Sequence, residues 1–341
     1  MTRRIPPDVP PIHRAAGPLL IGHRGAPGYR PEHTASSYRL AFAMGADAVE
    51  PDVVATADGV LVIRHENEIS GTTDVAEHPE FAERRTIKRI DGESLTGWFT
   101  EDFTWAELAT LRCRERIPAL RPGSAEYDGN EPILRLGDLL RLVEEASVEH
   151  GRDIGVVLEI KHATYFAGIG HDLAALVERD LRAAGWASGE HPLWVESFEQ
   201  TVLAELRARG VAGTFIYLLE ASGSPADLVA RDGGAAPAYA DALTPAGLDA
   251  LARDVDGISV DKEILLRADG PELVAAAHRR GLRVLTWTCR PENAFLDPRF
   301  RIGDDAAAYG DYRAEWERIA QTGLDGVFLD HPDLGADAFR A

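Results

Sequence analysis

LLIGHRG (19–25), AVEPDVVA (48–55) and VLVIRHE (60–66) are three apolar runs that each carry or end in charged residues, and Pro31-Glu32-His33-Thr34 lies between the first two. Each run reads as a buried strand that gives way to polar residues. This is how an α/β protein displays chemistry, at the carboxyl ends of strands held by a rigid sheet. Side chains alternate faces along a strand, so Glu50 and Asp52 point the same way. Two neighbouring carboxylates repel and raise each other's pKa unless a cation lies between them, and hard oxygens suit Ca²⁺ or Mg²⁺ better than zinc. An alternative reading makes one of the two a turn cap or an arginine partner. His23 and His65 tip the balance toward chemistry, because both follow strand-like runs and imidazole exchanges protons near neutrality.

Outward from this stretch, strand-like and helix-like runs alternate. Parallel strands are expected to end near His23, Asp52, Ile160, Ser197, Leu219, Val260, Thr288 and Leu329. Helices are expected over 36–44, 136–150, 172–184, 199–209, 244–252, 271–280 and 313–321. Several open on cap residues, such as Ser36 and Thr244-Pro245, and close at glycines such as Gly45, Gly151 and Gly281. Strand count and alternation predict a (β/α)8 TIM barrel. A doubly wound open sheet is the alternative, but the chain has no G-x-G-x-x-G or P-loop to support it. Residues 71–130 interrupt the alternation, carry Trp98, Phe99, Phe103 and Trp105, and read as an insertion between early strands. The expected organisation is a poorly ordered leader over 1–18 and one barrel domain over 19–341.

Composition narrows the partners. A chain of 341 residues fits one large α/β barrel, and its formal net charge of −20 argues against nucleic acid and against stable association with anionic membranes. Residues 1–18 hold Arg3, Arg4 and prolines but no apolar run of signal-peptide length, and no run is long enough to span a membrane, so a cytoplasmic location is expected. Cys113 and Cys289 have no metal spacing and read as structural thiols. A further station is Val156 to Lys161, where Glu159 and Lys161 share a face at the end of an apolar run. A plain Glu–Lys surface pair is the alternative there.

His23-Arg24-Gly25, Pro31-Glu32-His33-Thr34, Glu50-Pro51-Asp52 and His65 together resemble the glycerophosphodiester phosphodiesterases, particularly the longer bacterial type. The resemblance continues through Leu158-Glu159-Ile160-Lys161, Ser197-Phe198, Thr286-Trp287-Thr288 and Gly326-Val327-Phe328-Leu329-Asp330-His331-Pro332, covering about residues 18–335 in the family's order. It implies hydrolysis of deacylated phospholipids, such as glycerophosphocholine or glycerophosphoethanolamine, to glycerol 3-phosphate and an alcohol. Glu50, Asp52 and Glu159 match the family's ligands for one divalent cation, Ca²⁺ or Mg²⁺. Arg24 and Lys161 match its phosphate contacts, and His23 and His65 its acid/base pair. It also implies that the insertion stands over the barrel mouth, where it is expected to help set head-group preference. Glu32 is expected to support His23 or another group of the site, and Phe198 and Trp287 to wall the glycerol or the alcohol. Asp330 with Pro332 reads as a strand stop and loop anchor. One departure is His65-Glu66, where the family usually has His-Asp.

Two other classes remain open at this stage. A lysophospholipase D-like or sphingomyelinase D-like enzyme on the same scaffold would need a greasy rim, which the acidic composition disfavours. A non-catalytic binding barrel has no need of two histidines beside three carboxylates. Other hydrolases fit poorly, since there is no G-x-S-x-G elbow and His65-Glu66-Asn67-Glu68-Ile69 lacks the second histidine of a metalloprotease motif.

Overall fold

A computed structural model of the chain describes residue 12 and residues 17–340, so the expected leader lies almost wholly outside the described residues. Among the described residues twelve strands are formed: β1 (Leu19–His23), β2 (Ala48–Glu50), β3 (Asp52–Ala55), β4 (Leu61–Ile63), β5 (Thr86–Ile90), β6 (Glu93–Gly97), β7 (Gly155–Ile160), β8 (Leu193–Ser197), β9 (Thr214–Leu219), β10 (Gly257–Asp261), β11 (Arg283–Cys289) and β12 (Gly326–Leu329). Parallel pairing runs β2-β1-β12-β11-β10-β9-β8-β7, and Ala48↔Gly155 and Val49↔Val156 join β7 back to β2. The result is a closed eight-stranded barrel with helices between the staves, as the alternation predicts.

The second stave is broken. Pro51, which has no N–H to give a ladder, separates β2 from β3, and β3 continues along β7 with Asp52 opposite Glu159. The apolar run before His65 is not a further stave. It is β4, folded back antiparallel on β3 with Val53 opposite Ile63, through a turn closed by Thr56 and by Gly59 at φ 72°. His65 therefore enters the barrel mouth from a hairpin rather than from a barrel strand.

Strand alternation explains where the site lies. Ile21, Ala48, Val157, Trp194, Ile216, Leu285 and Phe328 form a separate apolar cluster inside the barrel, with Leu19 and Ile12 at its lower end. Two residues further along the same strands, the same face presents His23, Glu50, Glu159, Glu196, Leu218, Trp287 and, just past β12, Asp330. The barrel interior is thus a packed core below and polar at its carboxyl end. The larger apolar cluster lies between the strands and the surrounding helices.

The expected helices appear as Ala35–Ala43, Leu136–His150, Leu173–Ala183, Gln200–Ala208, Pro245–Asp254, Gly270–His278 and Tyr312–Ala320. Thr244 caps its helix as expected, but the first is capped by Thr34 rather than Ser36, because Thr34 Oγ1 is the atom that reaches Ser37 N at 3.2 Å. No helix among the described residues is long and apolar enough to cross a membrane. Residues 71–130 contribute no barrel strand. They fold as short turns and the β5–β6 hairpin, whose tip residue Asp91 meets His162 Nδ1 at 2.5 Å beside the mouth.

Candidate active site

His23 ends β1 with its ring facing the mouth. Its Nδ1 lies 2.6 Å from Asp330 Oδ1, and Asp330 is held by Arg121 Nη2 and Arg290 Nε, each donating at 2.7 Å to Oδ2. Against its burial, Arg290 and Arg121 keep the Asp330 carboxyl well below the usual range. An ionised carboxylate fixes the proton on Nδ1 and leaves Nε2 of His23 with its lone pair. Burial, then the neighbouring Arg24, lowers His23 to about 4, so the resting imidazole is neutral.

His65 repeats the arrangement. Its Nδ1 is hydrogen-bonded to Glu66 Oε1, and its Nε2 lies 3.1 Å from Lys161 Nζ. Burial, Arg24 and Lys161 bring His65 down to about 3, whereas His65 and Arg116 outweigh burial and keep Glu66 ionised. The longer side chain at position 66 thus still reaches the histidine. Lys161 Nζ also donates to Glu159 Oε1 at 2.8 Å, and the positive end of the site is completed by Arg24, whose Nη1 donates to Glu32 Oε2 at 3.1 Å. Glu32 supports Arg24 and Arg116, not His23. His33 is buried between Tyr38 Oη (2.8 Å) and Asp52 Oδ2 (3.0 Å), a structural post for Asp52.

Glu50, Glu159 and Glu196 converge so that one carboxylate oxygen from each lies within 4.8 Å of the others. Glu50 Oε1, Glu196 Oε2 and Asp52 Oδ1 are buried oxygens without a hydrogen-bond partner. Burial and the mutual repulsion of the cluster push Glu50, Glu159 and Glu196 up, while Lys161, His65 and His33 hold Asp52 low against its burial. Partnerless hard oxygens crowded in this way fit a divalent cation of the Ca²⁺ or Mg²⁺ kind. A cage there would take Glu50 and Glu159 from the expected set, add Glu196, and have Asp52 at its side.

These shifts carry a sign. Carboxyls raised in the folded state bind protons that the unfolded chain has released, so their contribution to stability is present at acid pH and lost as pH rises. Above about pH 7.5 the lowered histidines are neutral in both states and add no slope. The expected result is a melting temperature that falls more steeply with pH from about 7.5 to 9 in EDTA than when Ca²⁺ or Mg²⁺ saturates the cage, where the raised thiols of Cys113 and Cys289 leave a residual slope. Differential scanning calorimetry of both series checks it; parallel slopes would count against the cage.

The cavity at the mouth measures about 1030 Å³ and is lined by both histidines, Arg24, Lys161 and the cage. Phe198 and Trp287 form its apolar wall, edge to face at 5.6 Å, with Tyr239 beyond Phe198 at 6.2 Å. Glu93, Glu220 and Asp261 line its outer part, and burial with mutual repulsion raises Glu220. Reasoning from sequence missed Glu196 and the role of Asp330. Trp194-Val195-Glu196 and Phe328-Leu329-Asp330 carry the same two-residue step as Val157-Leu158-Glu159, and that step was the available signal.

Two neutral imidazoles with ionised carboxylates behind them, lining a cavity that Arg24 and Lys161 also line, form an arrangement that can exchange protons beside an anion. The comparisons narrow the class. The model of the Glycerophosphoryl diester phosphodiesterase family matches residues 23–334. The chain is 30% identical over 336 residues to the glycerophosphodiester phosphodiesterase GDPD6 of Arabidopsis thaliana, covering 92% of this chain and 83% of that one. Its fold is shared by an Oleispira antarctica phosphodiesterase solved in complex with the product sn-glycerol-3-phosphate, at TM-score 0.64 and 21% identity over 95% of this chain and 98% of that one. A glycerophosphodiester phosphodiesterase from Agrobacterium tumefaciens aligns at TM-score 0.57 and 19% identity, covering 94% and 99% of the two chains. The protein belongs to the glycerophosphoryl diester phosphodiesterase family and is a hydrolase of phosphoric diesters.

Proposed function

We propose that the protein hydrolyses glycerophosphodiesters with a cationic alcohol, glycerophosphocholine and glycerophosphoethanolamine among them, to glycerol 3-phosphate and the free alcohol. The observation that carries the reading is the pair of carboxylate-backed imidazoles at the ends of β1 and the β3–β4 hairpin, facing one cavity with Arg24 and Lys161. A phosphodiester resists attack because its oxygens are anionic and its alkoxide leaves poorly. Arg24 and Lys161 offset the charge, and a phosphate oxygen competes for the Lys161 ammonium, which frees Nε2 of His65. One imidazole takes the proton of the attacking hydroxyl while the other, charged in the field of the bound phosphate, gives one to the leaving oxygen. With the adjacent glycerol hydroxyl as nucleophile, a cyclic phosphate forms and the alcohol departs. Water then opens the ring with the two histidine roles exchanged, which returns both to their starting state.

Glu50, Glu159 and Glu196, with Asp52 beside them, would hold one Ca²⁺ or Mg²⁺. When bound, the cation supplies charge neutralisation to the phosphate. Phe198, Trp287 and Tyr239, with Glu220 and Asp261 outside them, suit the cationic alcohol through aromatic faces and negative charge. The product sn-glycerol-3-phosphate in the Oleispira antarctica structure supports glycerol 3-phosphate as a product of this reaction. The net charge of −20 supports a dissolved substrate over nucleic acid or an anionic membrane. The single-domain reading, with 71–130 as an insertion, belongs to the same proposal.

The test is release of glycerol 3-phosphate from both diesters, before EDTA, after it, and with Ca²⁺ or Mg²⁺ restored. Turnover is expected to vanish with EDTA and return with one of the cations. Activity that survives exhaustive chelation removes the metal from the reading, and activity on lysophospholipids alone replaces the substrate class.

A further inference from the structure

The two carboxylates that back the histidines are themselves gripped by one strap of the 71–130 segment. Arg116 donates from Nη1 and Nη2 to the two oxygens of Glu66, at 2.9 and 2.7 Å, and from Nε and Nη2 to the two oxygens of Glu32, at 2.7 and 2.6 Å. A guanidinium that takes both oxygens fixes the plane of a carboxylate as well as its charge. Arg121, with a side chain only 5% exposed, donates from Nε to Glu292 at 2.7 Å and from Nη2 to Asp330 Oδ2. Arg290 donates to that same oxygen, so Oδ1 is left for His23. Arg290 already supplies a charge to Asp330, and the second donor on Oδ2 therefore adds orientation.

The strap is pinned on both sides of each arginine. Cys113 N donates to Glu131 O at 2.8 Å and Arg114 N to Thr72 O at 2.9 Å. The buried Glu115 carboxylate, next to Arg116, accepts from Ile117 N on the far side of Arg116 at 2.9 Å and from Ser124 Oγ beyond Arg121 at 2.5 Å. Neither guanidinium lines the substrate cavity. Their reach is through Glu66 to His65 and through Asp330 to His23.

We propose that Arg116 and Arg121 are positioning residues that set the two acid/base histidines together, so that the insertion serves the chemical step. This rests on the reaction proposed above. It also accounts for glutamate at position 66: the longer acid stands where Arg116 takes both of its oxygens while one still meets His65.

Arg116→Met and Arg121→Met, their lysine counterparts, Glu66→Gln, Asp330→Asn and the two double variants would be assayed with glycerophosphocholine. Each methionine variant is expected to lose about 100-fold in kcat with KM within about twofold, as slight misplacement of catalytic groups does. Lysine is expected to restore part of kcat at Arg121, where one donor meets each carboxylate, and less at Arg116, where the fork is needed. Arg116→Met/Glu66→Gln and Arg121→Met/Asp330→Asn are expected to be no slower than the carboxamide variants alone. A raised KM at unchanged kcat, or losses that multiply in the double variants, overturns the proposal. If a methionine variant does not fold, the folded lysine variant decides, and wild-type kcat in both lysine variants overturns it. A second readout needs no substrate: the low-field proton resonances of His23 and His65 Nδ1–H are expected to shift in the Arg121 and Arg116 variants respectively, and unmoved resonances overturn the proposal. A wild-type enzyme inert on every glycerophosphodiester defeats the reaction reading instead, and the resonances still decide the positioning.

Discussion

His23→Ala and His65→Ala are each expected to lower kcat by about 10²- to 10⁴-fold, the usual worth of a positioned acid or base. The fold is expected to survive both changes. Asp330 keeps Arg121 and Arg290 after His23 is removed, and Glu66 keeps Arg116 after His65 is removed, so neither variant leaves an unpaired buried carboxylate. KM is expected to move little, because Arg24 and Lys161 retain their places beside Glu32 and Glu159. Steady-state turnover on glycerophosphocholine alongside thermal melts separates the two effects. Near-wild-type kcat in either variant would remove that histidine from the mechanism, while a collapsed melt would make it a structural residue.

Glu196→Gln is expected to move metal affinity and metal-free stability in opposite directions. Glutamine keeps the shape but takes one negative charge from a cage where Glu50 and Glu159 are already pushed up. Without a cation, that relief stabilises the fold by about 1.4 kcal/mol for each pKa unit of repulsion removed. The melting temperature in EDTA should therefore rise by a few degrees, about 2–4 °C per kcal/mol at most for a chain of this size. Calorimetric titration with Ca²⁺ or Mg²⁺ should show affinity lowered about 10-fold or more, with turnover falling alongside. A lower melting temperature in EDTA together with unchanged cation binding would show that Glu196 is a structural carboxyl and that the cage lies elsewhere.

The barrel was legible because each stave writes its inward face at every second residue, and the eight expected strand ends follow from that period. The β4 run was harder to place, since the return arm of a hairpin reads as one more apolar stretch. Asp58-Gly59 was its only local mark. Among site residues, His23, Arg24, Glu50, His65, Glu159 and Lys161 come together at the mouth as their positions after apolar runs implied. Phe198 and Trp287 line the same cavity. Glu196 and Asp330 follow the same two-residue step, but single carboxylates at strand ends are ordinary, so Glu196 does not stand out and Asp330 reads only as a strand stop and loop anchor. Arg116 and Arg121 could not be read at all. They sit in irregular chain, and which distant carboxylate such an arginine meets is decided by tertiary folding, with no period to announce it.

The apolar cluster inside the barrel makes the site a cup rather than a tunnel. Ile21, Trp194, Leu285 and Phe328 fill the space directly beneath His23, Glu196, Trp287 and Asp330. Whatever enters from the carboxyl end of the barrel must therefore leave by that end. Substrate and both product fragments share one doorway, and a fragment resting deepest, against the basic side chains, bars the next arrival until it departs.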